Sequence, residues 1–212
     1  IETLFTSIRG TTANRVEKLP QSGSDRIYFR IYEGSKTYIA TYNLNQKETQ
    51  TFIHFSKHFK AAGLPVPEVL GVNNDDTIYI QEDLGTESLL NQIEKEGHSQ
   101  NVYALFQKSL AALARMQIKG DEGFNYNWCI TAKEFGKQAI LSDLLYFKYY
   151  FLDTLQLPYD KQAMLEDFEA LSTYLTHTQH KYFMFRDFQS RNIIVNQNDV
   201  QFIDFQGGMK GA

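Results

Sequence analysis

Two short stretches decide how this chain is read: Phe185-Arg186-Asp187-Phe188-Gln189-Ser190-Arg191-Asn192 and Ile203-Asp204-Phe205-Gln206-Gly207. Tyr182 to Phe185 is aromatic and reads as a strand, so Asp187 sits on the loop that leaves it. Ile193 to Val195 and Val200 to Asp204 read as two further strands, joined through the turn Asn196-Gln197-Asn198-Asp199. Such a hairpin brings Asn192 and Asp204 together although twelve positions separate them. An amide and a carboxylate are hard oxygen donors, which suits Mg²⁺, an ion that takes few protein ligands and completes its shell with water and phosphate oxygens. Asp187 is then a candidate to accept the proton of an attacking hydroxyl and to orient it toward a phosphate. A lone Asp or Asn in a loop usually caps a turn. Three polar residues at this spacing, within one strand–loop–strand–turn–strand unit, favour the chemical role.

Working outward, the chain before this unit divides in two. Arg26 to Tyr32 and Thr37 to Tyr42 are rich in aromatic and β-branched residues and flank Glu33-Gly34-Ser35-Lys36, the pattern of a hairpin. Val69 to Val72 and Thr77 to Glu82 flank Asn73-Asn74-Asp75-Asp76 in the same way. Between the hairpins the spacing predicts a helix. Asn45 with Glu48 resembles a capping box, Phe52, Phe55, Phe59 and Ala62 share one face packed on a sheet, and Gly63 with Pro65 ends it. After Gly85 the periodicity turns helical: Val102, Leu105, Phe106, Leu110 and Leu113 form one stripe, Leu141, Leu144, Leu145 and Lys148 lie in a second helix, and Met164, Phe168, Leu171 and Leu175 mark a third. The expected fold class is α+β. A small β-rich lobe spans residues 1–84, a crossing segment lies near Gln81-Glu82-Asp83-Leu84-Gly85, and a mainly helical lobe over residues 85–212 carries the catalytic hairpin.

The 212 residues hold 21 Lys and Arg against 25 Asp and Glu, a net charge of −4. That balance argues against nucleic acid or an anionic membrane as partner, since each needs a basic face. It leaves room for a bound nucleotide, whose charge a metal ion neutralises locally. Hydrophobic residues at 42% and aromatics at 14% place the chain among globular proteins. The single cysteine, Cys129, cannot form an internal disulfide, and no apolar run has the length of a membrane span or the form of a secretory signal. A reducing, cytoplasmic compartment is expected.

Arg186-Asp187 with Asn192 five positions after the Asp, followed by Asp204-Phe205, has the order and spacing of the protein-kinase catalytic and metal loops. From about Leu19 to its last residue the chain resembles the kinase-like small-molecule phosphotransferases, the aminoglycoside phosphotransferase and choline kinase family. Within it, Arg186 to Asn192 and Ile203 to Gly207 look most like the bacterial sugar kinases that phosphorylate N-acetylmuramate or N-acetylglucosamine at the anomeric hydroxyl. The resemblance implies a two-lobe protein-kinase-like fold that moves the γ-phosphoryl group of ATP to a hydroxyl of a small, sugar-like acceptor. Asp187 would be the base, and Asn192 and Asp204 would hold Mg²⁺. The resemblance further implies that Ser22, Gly23 and Ser24, with Arg26, cover the ATP phosphates, although a plain Ser/Gly turn fits the same residues. The backbones of Glu82 and Leu84 would read adenine; an ordinary strand exit fits them too. Glu48 matches the acidic residue that pairs with the family's phosphate-binding lysine, and suits a helix cap equally well. A nucleotidyltransferase, fused or neighbouring, is a partner the resemblance raises. The family's closing helices would follow residue 212, so the chain is expected to be incomplete at its C-terminus.

Three positions depart from the family pattern. Phe185 stands where His is usual, removing a packing and hydrogen-bonding support of the loop. Ala40 or Thr41 stands where the phosphate lysine belongs, so that Lys36, Arg26 or Arg30 supplies the cation, or nucleotide binding is altered. Gln206 replaces the glycine of Asp-Phe-Gly, which displaces its flexibility to Gly207. These departures keep a second function in view, a nucleotide-binding or interaction module with little catalysis. A protein kinase is a weaker third, for want of an Ala-Pro-Glu segment after Asp204. Elsewhere, His54 and His58 stand four apart on one helix without a third ligand and read as a solvated face. Cys129 reads as a small buried hydrophobe. Leu144 to Leu152 reads as a core helix, too short to cross a membrane and interrupted by Lys148.

Overall fold

The computed structural model of the chain describes residues 1–20 and 25–212. It opens with a helix absent from the sequence reading: α1 (Glu2–Arg9) buries Phe5 and stops at Gly10, which adopts the left-handed conformation. A five-stranded antiparallel sheet follows, built from β1 (Arg15–Lys18), β2 (Ile27–Glu33), β3 (Lys36–Tyr42), β4 (Val69–Val72) and β5 (Ile78–Glu82) in the order β1-β2-β3-β5-β4. Both expected hairpins are present, β2 with β3 and β4 with β5. β1 is short and mostly exposed, and it lacks the aromatic density that marks the others.

Because side chains alternate along a strand, the sheet has two unlike faces. On one, Ile31, Tyr38, Ala40 and Ile80 pack against Phe5 of α1. Gly71 permits that approach, since a Cβ there would stand 2.5 Å from Ile8 Cδ1. The other face presents Tyr28, Arg30, Ile39, Tyr79 and Gln81 to a cleft.

α2 (Gln46–Ala61) forms where expected, with the Glu48 N–H donating to Asn45 Oδ1 at 3.2 Å. The capping box is only half closed. The Asn45 N–H donates instead to Asn43 Oδ1 (2.9 Å), which leaves the Glu48 carboxylate for other partners. The aromatic face of α2 reaches beyond the sheet. Phe52 stacks on Tyr79 of β5 (4.9 Å between centroids) and on Phe205 (5.2 Å). Phe55 and Phe59 meet Phe124 and Phe183. One aromatic core thus joins the sheet to the helical part.

That part contains α3 (Leu89–Glu96), α4 (Gln100–Asp121), α5 (Lys137–Phe147) and α6 (Lys161–Thr176). α4 does not bury the whole expected stripe. Val102 and Leu105 are inside, but Phe106 and Leu110 are exposed, and Ser109, Met116 and Gly120 complete the buried face. Close packing decides this: a Cβ at Gly120 would lie 3.0 Å from the Phe59 ring, so α4 presents its small residues where α2 is nearest. The core helix expected over Leu144 to Leu152 is also corrected. The α-helix gives way to a π-turn at Lys148–Leu152, and Tyr146, Phe147, Tyr149, Tyr150 and Phe151 are all exposed. Tyr146 stacks on Tyr150 (4.3 Å) and Phe147 on Phe151 (5.2 Å). Aromatics on every side of one helix cannot all face a single core. Among the described residues no helix is long and apolar enough to cross a membrane.

The C-terminal unit contains β6 (Tyr182–Met184), β7 (Ile193–Asn196) and β8 (Asp199–Phe202), and the last two pair as the expected hairpin. The terminal residues form β9 (Met209–Gly211) and pair antiparallel with β6. Both ends of the segment carrying Asp187 and Asp204 are thereby fixed. Cys129 is buried, and burial pushes its thiol up to about 11. Of the histidine pair, His54 is exposed and stacks on Trp128 (3.5 Å), whereas His58 is half-buried and donates from Nε2 to the Gly120 carbonyl (2.9 Å).

Candidate active site

The chain leaves β6 and turns sharply at Arg186, whose φ is +73°. An ion pair with Asp143 (3.0 Å) and a seat over the Phe135 ring (4.6 Å) hold the Arg186 side chain. The Asp187 N–H donates to the Phe185 carbonyl at 3.0 Å. Phe185 is buried edge-on against Phe188 (5.5 Å) and Phe202 (5.7 Å). The packing support expected to be lost with His is therefore supplied by Phe.

A 3₁₀ turn, Ser190–Asn192, then delivers Asn192 to the start of β7. Asn192 is buried; its Nδ2 donates to the Asp187 carbonyl (2.9 Å) and lies 3.4 Å from Asp204 Oδ2. Asp204 stands two residues past β8, not within it, and takes a φ of +63°. Its Oδ1 accepts from Arg26 Nη2 (2.9 Å) and from Gln206 Nε2 (2.8 Å). Burial works against the charged carboxylate, yet the bonds from Arg26 and Gln206 and the charges of Arg26 and Arg191 hold Asp204 below its ordinary range. Gln206 thus has a task that a glycine could not perform. Gly207 gives room rather than flexibility, since its φ lies outside the left-handed region and a Cβ there would stand 3.1 Å from Asp187 Oδ2.

Arg26, at the entry to β2, ties the sheet to this unit. Its Nη2 reaches Asp204, and its Nε lies 3.7 Å from Glu48 Oε1. Glu48 also accepts from Asn43 Nδ2 (2.9 Å), so its carboxylate faces Arg26 and not the helix cap. The other two cations weighed from the sequence are elsewhere. Lys36 is exposed at the β2–β3 bend. Arg30 is bound bidentately to buried Asp83 (2.7 and 3.3 Å). Of Ala40 and Thr41, Ala40 packs under α1, whereas Thr41 lies between Tyr28 and Tyr79 in the cross-strand row that faces the cleft.

The cleft holds about 720 Å³ between the sheet and the C-terminal hairpin. Glu82, Asp83, Leu84 and Gly85 line it, as do Arg26, Asn192 and Asp204. The Glu82 N–H is already donated to the Glu68 carbonyl (2.9 Å). Ser22, Gly23 and Ser24 lie outside the described residues. A second cavity of about 450 Å³ opens beside Asp187, with Phe135, Asp143, Arg186 and Phe188 in its walls. Asp187 lines the second cavity and Asn192 the first, and the 2.9 Å bond between them joins the two.

Asp204 and Asn192 suit a hard cation by donor type. Among the described residues no group of three or more His, Cys, Asp or Glu is placed to hold a metal ion. An ion on this pair would therefore rely on phosphate and water oxygens. Sequence reasoning missed Asp83, Asp143 and Gln206. Asp83 and Asp143 have their partners 53 and 43 positions away, and no local pattern marks them. Gln206 was seen only as a departure, although a side-chain amide two residues after a carboxylate can reach it.

The family model described as the phosphotransferase enzyme family matches residues 15–212. No curated protein matches the chain. Among solved structures, a thermostable mutant of aminoglycoside phosphotransferase APH(4)-Ia in its apo form has a TM-score of 0.66 at 17% identity, covering 100% of this chain and 73% of that one. A further mutant of that enzyme, in ternary complex with ADP and hygromycin B, has a TM-score of 0.67 at 16% identity, covering 100% and 72%. The streptomycin-ATP-APH(2″)-IIa ternary complex has a TM-score of 0.61 at 16% identity, covering 98% and 70%. These likenesses identify the kinase-like fold of the aminoglycoside phosphotransferases.

Proposed function

The chain belongs to the phosphotransferase enzyme family, and on that premise we propose that it transfers the γ-phosphoryl group of ATP to a hydroxyl of a small molecule, a sugar or amino sugar. The observation that carries this reading is the pair of cavities meeting at Asp187 and Asn192. One has a carboxylate and an amide for a metal-bound phosphate; the other has a carboxylate to receive a proton.

In this reading residues 1–84 form the nucleotide-binding lobe and residues 85–212 the catalytic one. ATP lies in the larger cleft, with adenine against the backbones of Glu82 and Leu84 and the phosphates toward Arg26, Asn192 and Asp204. Asn192 and Asp204 would hold Mg²⁺, which would supply neutralisation of the charge that develops in transfer. Asp187 accepts the acceptor's proton at a carboxylate oxygen and fixes the hydroxyl in line. Asp143 and Arg186 offer the acceptor's hydroxyls hydrogen-bonding groups, and Phe188 offers a ring face. A resemblance to the kinases of N-acetylated amino sugars makes those sugars the first acceptors to test.

Mg·ATP is expected to raise the melting temperature of the chain by an amount that grows with ligand concentration. An unchanged melting temperature across an ATP series contradicts the assignment of the cleft. One observation favours a second reading: Thr41 occupies the expected lysine position, consistent with a nucleotide-binding module that turns over little. A raised melting temperature without phosphoryl transfer to any acceptor would select it.

A further inference from the structure

We propose that Arg26 is the phosphate-binding cation of this site, delivered from the entry to β2 in place of a lysine on β3. The proposal rests on the nucleotide reading of the cleft given above.

Three observations support it. First, of the two β3 positions weighed for the lysine, Ala40 packs under α1, and Thr41, on the cleft side of the sheet, is fully buried in the row Tyr28–Thr41–Tyr79 and carries no charge. Second, the acidic residue that such a lysine would need is in place and already turned to Arg26: Glu48 Oε1 lies 3.7 Å from Nε. Third, Arg26 is incompletely satisfied. Its side chain is 13% exposed, and its Nε is buried with no hydrogen-bond partner. That Nε lies 3.7 Å from Glu48 Oε1, so charge alone holds the edge toward Glu48, and the Nη edge beside Asp204 on the cleft wall is the one a phosphate can reach.

The remaining cations that line the cleft among the described residues do not fit the role. Arg30 is committed to Asp83 through two bonds and lies in another cross-strand row, Arg30–Ile39–Gln81. Arg191, on the 3₁₀ turn of the hairpin, lines the cleft and acts on Asp204 through its charge, but among the described residues no ion pair joins it to Glu48. Arg26 alone contacts both Glu48 and Asp204.

A guanidinium changes how the site works as well as where its charge originates. It offers five N–H donors in a planar fork, so it can keep one edge on Glu48 and turn another to phosphate. Nη2 donates to Asp204 Oδ1, the oxygen that also accepts from Gln206, so Arg26 offsets the charge of Asp204. Phosphate oxygens would offer the same guanidinium a second acceptor beside that carboxylate.

The test measures ADP affinity by calorimetry, without and with Mg²⁺, for the wild-type chain, Arg26→Ala, and Arg26→Ala combined with Thr41→Lys. Losing a hydrogen bond to a charged group makes Arg26→Ala weaker than wild type by about ten- to a hundredfold, in both the presence and the absence of Mg²⁺. Restoring a cation from β3 recovers most of that loss, which a structural role for Arg26 would not allow. Undiminished ADP affinity in Arg26→Ala overturns the proposal, and so does a double variant as weak as the single one. If Arg26→Ala does not fold, Arg26→Gln replaces it, and wild-type affinity in that variant overturns the proposal equally. A wild-type chain that binds no nucleotide would overturn the nucleotide reading itself, whereas wild-type binding with an indifferent Arg26 overturns only this inference.

Discussion

Asp187→Asn is expected to lower the turnover of phosphoryl transfer by about 10²–10⁴-fold, the usual contribution of a positioned base, while leaving ADP affinity near that of wild type. The two halves of this expectation follow from where the residue sits. The carboxylate lines the smaller cavity and not the larger cleft, so a nucleotide held in the cleft would not depend on it. An amide of the same shape keeps the space beside Gly207, where 3.1 Å would separate a Cβ from Asp187 Oδ2, but it cannot take up a proton. Neither the Asp187 N–H bond to Phe185 nor the Asn192 bond to the Asp187 carbonyl involves the altered side chain. A variant with wild-type turnover would remove Asp187 from the chemistry. A parallel collapse in ADP affinity would assign it a structural role.

Asp204→Ala is expected to abolish the part of ATP binding that depends on Mg²⁺. Asn192 would be left as the lone protein donor, and an amide oxygen without a carboxylate is a poor site for a divalent cation. The substitution also takes the acceptor from Arg26 Nη2 and Gln206 Nε2, two buried donors that now share Oδ1. Asp204→Asn is the companion variant, since it retains an acceptor for both while removing the charge. Isothermal titration with ATP, with and without Mg²⁺, separates the roles. An ATP titration of Asp204→Ala that still responds to Mg²⁺ as wild type does would reject the metal assignment.

The approach of Asp187, Asn192 and Asp204 was legible because it is local. Asp187, Asn192 and Asp204 lie within one strand–loop–hairpin segment, and turn residues fix the approach of Asn192 to Asp204. Both N-terminal hairpins and α2 were legible for the same reason, through aromatic runs and a helix with marked ends. Contacts between distant segments were not. That Arg26, rather than Lys36 or Arg30, meets Asp204 depends on how the sheet sits against a hairpin 178 positions later. The half-closed cap of α2 follows from Asn43, a residue before the capping motif. The face of α4 escaped the periodicity because small residues, not apolar ones, set its closest approach to α2. β9 escaped because its Met-Lys-Gly sequence has little strand character of its own and forms only by pairing with β6.

The most direct test of the central claim is transfer itself. The chain is incubated with Mg²⁺ and ATP labelled in its γ-phosphoryl group, alongside a panel of N-acetylated amino sugars and other small hydroxyl acceptors. Label is expected to appear on an acceptor with the wild-type chain and to be lost with Asp187→Asn. Label that reaches no acceptor, or reaches one equally well with Asp187→Asn, would contradict the account.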